Sequence, residues 1–150
     1  MLNKDLLIKD ILLSNAKVNI GINIFKKFSD GYHGLESLIQ EISLSDTIQI
    51  TILKSSGNIE LSLKGIAMNC NNSDNTCYRI TDAFKKQYNI KNKIIIELDK
   101  KIPIGAGLGG GSSNAATILN FLNKAFNSRM NNKNKHKMCK NIGMDVPFFI

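Results

Sequence analysis

The sequence predicts an α+β fold in which a mixed, largely antiparallel sheet packs against helices. Two observations favour this class: apolar residues alternate with polar ones through the opening half, and they recur at helical spacing in two later segments. The 150 residues suit one domain or part of a larger protein, and a hydrophobic fraction of 43% is enough to fill a core.

The opening half is predicted to form strands. Residues 17–24 alternate strictly, which places Lys17 and Asn19 together on the face opposite the core. A turn is expected at Ser29, Asp30 and Gly31. Further strands are predicted over residues 35–44, 47–53 and 59–63, of which the second has three isoleucines on one face.

The second half is predicted to be largely helical. Four apolar residues predict a helix over residues 76–88, preceded by a polar loop that ends in capping residues, and residues 93–98 form a short strand. A second helix follows the glycine-rich segment, with Ser112 and Ser113 as its capping residues. Residues 127–135 are predicted as a loop, 136–141 as a short helix, and 146–150 as the start of a buried strand.

Charge and cysteine content narrow the functional classes. The net charge of +8 is spread along the chain, which favours a solvated lysine-rich surface over a nucleic-acid site. The cysteines, Cys70, Cys77 and Cys139, lack the spacing of a zinc site and indicate reduced thiols. Without a signal peptide or a long apolar run, the expected protein is cytoplasmic and has no membrane partner.

A glycine-rich turn at residues 103–114 is the most informative segment. Five of its residues are glycine, and it lies between a predicted strand and a predicted amphipathic helix. Exposed backbone amides and a helix N-terminus together favour phosphate. The turn lacks the Gly-Lys-Ser/Thr of a Walker A loop, and no acid follows at the distance that a dinucleotide-binding fold requires. A flexible turn without a ligand is the plainer alternative.

Four motifs, in order, resemble those of the GHMP kinases. The stretch Gly-Leu-Gly-Gly-Gly-Ser-Ser, followed by Asn114, resembles their phosphate loop, and residues 16–20, Ala-Lys-Val-Asn-Ile, resemble their first motif. Asp30-Gly31-Tyr32-His33 and the run Asp-Val-Pro-Phe-Phe at residues 145–149 resemble one branch, which phosphorylates a CDP-linked methylerythritol. Together the motifs cover residues 15–150.

The resemblance implies a fold and a reaction. It implies an ATP-binding domain over residues 1–150, similar to one used by ribosomal proteins, and a C-terminal domain that is absent from this chain. It also implies transfer of the γ-phosphoryl group of ATP, with Mg²⁺, to the 2-hydroxyl of the small-molecule substrate. The fragment alone is expected to bind ligands weakly or to be inactive.

The resemblance also assigns roles to residues. Asp145 is the expected catalytic base with Lys17 beside it, while Asn19, Tyr32 and His33 are expected to contact the substrate. Asn75 lies near the adenine, and Lys100 reaches the phosphates. The triphosphate is expected to lie against Pro103, Ile104, Gly105, Ala106, Gly107, Leu108, Gly109, Gly110, Gly111, Ser112 and Ser113.

Each role has a plainer structural alternative. Asp145 would be a turn residue, Lys17 and Lys100 solvated charges, and Asn75 a helix N-cap. No magnesium ligand is assigned, although Ser112 or Ser113 fits by analogy, and the oligomeric state is not predicted. Two other functions stay open: a GHMP kinase acting on another alcohol, and a basic RNA-binding module without catalysis.

Overall fold

The computed structural model describes residues 5–27, 33–67 and 71–150, which form one sheet and three α-helices. The α+β prediction is confirmed. The elements, in chain order, are β1 (Leu6–Lys27), β2 (His33–Ser56), β3 (Ile59–Gly65), α1 (Thr76–Tyr88), β4 (Asn92–Lys100), α2 (Gly110–Ala125) and α3 (Asn132–Lys140), with short 3₁₀ helices at Asn72–Asp74 and Val146–Phe149.

The four strands lie in the order β1-β2-β4-β3. β2 pairs antiparallel with both β1 and β4, whereas β3 pairs parallel with β4. The predicted mixed, largely antiparallel sheet is therefore confirmed. No helix among the described residues is long and apolar enough to cross a membrane.

The core lies between the sheet and the helices α1 and α2. Alternate residues over positions 46–52 of β2 and 94–100 of β4 are buried beneath the helices. Burying one such isoleucine side chain stabilises the folded state by about 1.5–3 kcal/mol. The apolar faces of α1 and α2 pack against these sheet residues. The largest fully buried side chains are Ile48, Ile50, Ile52, Ile94, Ile96, Leu98, Ile102, Ile80, Phe84, Ile118, Leu119 and Leu122.

Strand β1 departs from the predicted alternation. Its register against β2 shifts between Asn15 and Lys17, and both Ala16 and Lys17 are buried. An extra residue at such a bulge changes which side chains face the core. Ile20, predicted to point inward, is 54% exposed. The prediction that Lys17 faces away from the core is therefore wrong.

Helix α1 agrees with the sequence prediction at both ends. The Asn75 side chain accepts a hydrogen bond from the Cys77 amide at 2.9 Å, as a polar N-cap does. Asn89 closes the helix in the left-handed conformation.

Helix α2 begins earlier than predicted. It starts at Gly110, and its N-cap is Gly109 at φ +68°, so Ser112 and Ser113 lie within the first turn and are not caps. A glycine N-cap needs no side-chain hydrogen bond to adopt this backbone conformation. The hydroxyl of Ser113 is directed inward to Ser14 instead.

Two predictions near the C-terminal end are wrong. Helix α3 starts at Asn132, because the Asn131 side chain caps it through the Asn134 amide, within a segment predicted as a loop. Residues 146–149 form a 3₁₀ helix, not a strand. Pro147 in its first turn lacks an N–H and suits a helix start, while Val146 supplies the buried side chain.

Candidate active site

The glycine turn connects β4 to α2. Gly105, Gly107 and Gly109 have φ of +72°, +73° and +68°, in the left-handed region that other residues rarely adopt. A Cβ atom at Gly105 or Gly107 would meet nothing within 4 Å. The glycines there serve backbone conformation, and the space beside them is open to a ligand.

A cleft of about 270 Å³ lies against this turn. Its walls are the turn itself, the start of α2, Thr76 and Lys100. The N-terminus of α2, with the positive end of its helix dipole, borders this cleft and would favour an anion there. All the residues predicted to contact the triphosphate, except Ser113, line the cleft. The geometry therefore suits the phosphate-binding role that the sequence predicts.

The start of α1 lies beside the same cleft. The Thr76 hydroxyl donates a hydrogen bond to the Gly111 carbonyl at 2.7 Å, which ties α1 to the first turn of α2. Asn75 is buried next to it and acts as the N-cap, so its structural alternative is confirmed. Its predicted contact with adenine stays a prediction.

Lys17 and Asp145, far apart in sequence, meet at the edge of the turn. The Lys17 Nζ lies 3.6 Å from the Asp145 Oδ2 and donates a hydrogen bond to the Asn19 Oδ1 at 2.8 Å. The Lys17 backbone N–H donates to the Leu108 carbonyl at 2.9 Å. The three predicted residues Lys17, Asn19 and Asp145 thus form one cluster that touches the turn.

Glycine at position 109 allows this close approach. A Cβ atom there would lie 3.0 Å from the Lys17 Cγ and 3.2 Å from the Phe149 ring. The turn, β1 and the last 3₁₀ helix therefore converge on Gly109. A lysine beside a partly exposed carboxylate gives a site that can supply a base and stabilise a developing negative charge.

Lys100 lies beneath the turn and is already engaged. Its Nζ donates to the Asp46 Oδ2 at 2.6 Å and to the Ile102 carbonyl at 2.9 Å, and both side chains are buried. The alternative of a solvated loop charge is therefore wrong. Lys100 lines the cleft, but its ammonium group already donates to these two protein acceptors.

The structure adds residues that the sequence reasoning missed, namely Ser14, Asp46 and Thr76. Asp46 follows Ser45 and precedes a predicted strand, so it has the pattern of an ordinary turn residue. Ser14 lies before the predicted first strand. Only the pairing of β1 with β2, and of β2 with β4, brings these two side chains under the turn.

The predicted substrate contacts Tyr32 and His33 lie at the β1–β2 connection, most of which is outside the described residues. Tyr32, with the turn at residues 29–31, lies outside the described residues. His33 pairs through its backbone with Lys27 at the end of the β1–β2 hairpin, and its side chain also lies outside the description. Their predicted contacts with substrate stay predictions.

The described residues offer no cluster of three or more His, Cys, Asp or Glu side chains for a metal ion. Burial raises the pKa of the Cys77 thiol to about 12 and that of Cys139 to about 11, so both are protonated at neutral pH. Of the two serines considered for magnesium, Ser113 is buried against Ser14, whereas Ser112 lines the cleft.

Comparison with known proteins agrees with this geometry. Residues 75–150 match the family described as GHMP kinases N terminal domain. The chain is 45% identical over 141 residues to a 4-diphosphocytidyl-2-C-methyl-D-erythritol kinase of Fusobacterium nucleatum, with coverage of 93% of this chain and 47% of the relative. It is 38% identical over 143 residues to the kinase of the same name from Clostridium botulinum, covering 91% and 48%.

A solved structure shares the fold. The crystal structure of a 4-(cytidine 5'-diphospho)-2C-methyl-D-erythritol kinase superimposes with a TM-score of 0.76 at 31% identity, covering 93% of this chain and 48% of that one. The chain thus spans about half the length of the curated relatives it matches.

Proposed function

The chain belongs to the GHMP kinase family, and from that premise we propose that the full-length protein phosphorylates 4-diphosphocytidyl-2-C-methyl-D-erythritol. The γ-phosphoryl group of ATP would pass to the 2-hydroxyl, a step of non-mevalonate isoprenoid precursor synthesis in the cytoplasm. The observation that carries the proposal is the meeting of Lys17, Asn19 and Asp145 beside the glycine turn.

The proposed reaction uses this cluster directly. Asp145 accepts the proton of the 2-hydroxyl as the oxygen attacks the γ-phosphorus, and the bond to the β-phosphate oxygen breaks to release ADP. The ammonium of Lys17 lies beside the Asp145 carboxylate and would lie close to the moving phosphoryl group. Asn19 holds the Lys17 ammonium in place through the 2.8 Å hydrogen bond.

The residues present fit ATP. The open space beside Gly105 and Gly107 and the N-terminus of α2 suit the triphosphate. Thr76, which lines the cleft, and its neighbour Asn75 would border the rest of the nucleotide. Mg²⁺ would neutralise the phosphates. Mg²⁺ usually takes only one or two protein ligands besides phosphate oxygens and waters. The Ser112 hydroxyl, which lines the cleft, would suit such a ligand.

The substrate side of the proposal rests on the family motif and on the curated relatives. Tyr32 would stack on the cytosine and His33 would form hydrogen bonds with it. The β1–β2 hairpin supports this placement, because Asn19 and the backbone of His33 belong to the same pair of strands.

A substrate panel tests the proposal. The full-length protein is incubated with ATP, Mg²⁺ and one alcohol at a time, and ADP release is measured for the CDP-linked methylerythritol, homoserine and mevalonate. We expect turnover with the CDP-linked alcohol alone. Tyr32→Ala should raise the KM for that alcohol about tenfold or more and leave the KM for ATP unchanged.

Two results would contradict the proposal. Turnover of homoserine or mevalonate in preference to the CDP-linked alcohol would assign a different GHMP activity. Salt-sensitive binding of RNA at physiological ionic strength, without measurable affinity for ATP, would favour the basic RNA-binding module.

A further inference from the structure

A buried carboxylate holds the beginning of the glycine turn. Asp46, at full burial in β2, accepts hydrogen bonds at its Oδ1 from the backbone amides of Lys101 at 2.7 Å and Ile102 at 2.8 Å. Its Oδ2 accepts from the Lys100 ammonium at 2.6 Å. One side chain therefore fixes three consecutive residues at the point where β4 ends and the turn begins.

A hydroxyl on the neighbouring strand holds the other end of the turn. The Ser14 Oγ lies 2.8 Å from the Ser113 Oγ and 3.0 Å from the Asn114 Oδ1, and all three side chains are buried. Ser113 and Asn114 directly follow the first three residues of α2, Gly110 to Ser112, which line the cleft. Ser14 thus anchors the helix end that follows the glycines.

Ser14 and Asp46 are direct partners in the β1–β2 ladder. Opposite residues of an antiparallel pair share one face of the sheet. One rung of the sheet, the Ser14–Asp46 rung, therefore contacts both ends of the glycine turn. β1 also carries Lys17, three residues after Ser14, so the rung connects the turn to the proposed phosphoryl-transfer cluster.

Lys100 links the two ends from below. A Cβ atom at Gly110 would lie 2.8 Å from the Lys100 Nζ and 2.9 Å from the Ile102 Cγ2, so the start of α2 rests directly on these groups. Moving Lys100 would move the helix N-terminus. Because Asp46 and the Ile102 carbonyl hold the ammonium, the height of α2 above the sheet depends on Asp46.

We propose that the Ser14–Asp46 rung is a positioning device for the glycine turn, and that Asp46 is its principal residue. The inference rests on the proposed function, in which the turn holds the triphosphate of ATP. Asp46 is fully buried and is not among the residues that line the cleft. It acts by holding the amides at a fixed spacing, and small displacements of such donors weaken the binding of an anion sharply.

The test compares ATP binding in full-length variants. Asp46→Asn keeps the shape of the side chain, but it turns an NH₂ group toward Lys100 if the carbonyl keeps both backbone bonds. We expect the Kd for ATP, measured by titration calorimetry, to rise tenfold or more, and the KM for the alcohol to stay within twofold. Ser14→Ala should raise the Kd for ATP about threefold.

A matched control separates positioning from general stability. Ile50→Val removes one methylene from the core of the same strand β2, away from the turn, and should lower the melting temperature without changing the Kd for ATP. If Asp46→Asn does not fold, Ser14→Ala decides the question. An unchanged Kd in the folded variants, with a lower melting temperature, would overturn the positioning role.

The outcome also distinguishes this inference from the proposed function. If both variants bind ATP as tightly as the wild type, the positioning role of the Ser14–Asp46 rung is contradicted, while the kinase proposal is not. Wild-type protein without affinity for ATP contradicts the kinase proposal and removes the ligand on which the rung is proposed to act.

Discussion

Two lysine–aspartate pairs flank the glycine turn, and the protein uses them differently. Lys100 and Asp46 are 2.6 Å apart, with side chains 3% and 0% exposed. The Lys100 ammonium also donates to the Ile102 carbonyl, and the Asp46 Oδ1 accepts from two backbone amides. Lys17 and Asp145 are 3.6 Å apart, and the Asp145 side chain is 49% exposed.

The difference separates a pair that builds the site from a pair that is available to a ligand. A buried pair offsets the cost of desolvation only when further hydrogen bonds complete it, as the backbone amides do for Asp46. A carboxylate held near an ammonium, with half its surface free, retains oxygen atoms for a substrate proton. Of the two, only the open pair suits catalysis.

Asp145→Asn should have a larger effect on kcat than the other substitutions. A small effect would contradict the catalytic role of the partly exposed Lys17–Asp145 pair. We expect kcat of the full-length enzyme to fall by about 10²–10⁴, because a carboxamide does not accept the hydroxyl proton. The Kd for ATP and the melting temperature should change little, since Asp145 is half exposed. Asp82→Asn is the matched control, because Asp82 pairs with Lys86 on the surface of α1. Equal kcat for the two variants would remove Asp145 from the mechanism.

Asp46→Ala should show the opposite pattern, with the main loss in stability. Removing one partner of a buried ion pair costs about 3–5 kcal/mol, and here two backbone amides also lose their acceptor. Urea unfolding of the full-length protein measures the loss. The double variant with Lys100→Met should recover part of it, because no uncompensated charge remains. A double variant less stable than Asp46→Ala would contradict this account.

Two glycines of the turn sharpen the comparison further. Ala at Gly105 meets open space, so only the left-handed backbone opposes it, at a cost of about 1–2 kcal/mol. Ala at Gly109 has the same backbone cost and also approaches Lys17 at 3.0 Å. Gly109→Ala should therefore lower kcat several-fold more than Gly105→Ala, and it should also lower the melting temperature more, because Lys17 must shift. Equal effects on kcat would show that Lys17 adapts freely.

Sequence patterns predicted the regular elements where local rules decide them. The bounds of α1 follow from apolar spacing and from the Asn75 cap, and Ile48, Ile50 and Ile52 alternate as the strand prediction requires. The motifs also identified Lys17 and Asp145, which the fold brings together. These successes depend on short-range spacing or on motifs that are specific as a set.

The misses occur where distant elements decide the outcome. Alternation around Lys17 predicted the wrong face, because a bulge in the pairing with β2 shifts the register. Alternation also does not reveal where the covering helices end, so Ile20 was placed inward. Asp46 has the sequence pattern of an ordinary turn residue, and a solvated charge was the plainer alternative for Lys100, since only the β2–β4 ladder puts them together under the turn.

The smallest predicted effect concerns the pH dependence of stability and depends on Cys77, which lies near the buried Asp46–Lys100 pair. Burial raises the pKa of this thiol from 9.0 to about 12, outweighing the hydrogen bond with Asn114, which lowers it. The folded state therefore keeps a proton that the unfolded state loses between pH 9 and 12, and stability falls as the pH rises through that window.

The measurement compares the wild type with Cys77→Ala, both in the full-length protein. From pH 9 to pH 10 the free energy of unfolding of the wild type should fall by up to about 1 kcal/mol more than that of the variant. Cys139 is present in both proteins, so its own ionisation cancels in the difference. Equal pH dependence would mean that solvent reaches Cys77 and the buried region around the Asp46–Lys100 pair.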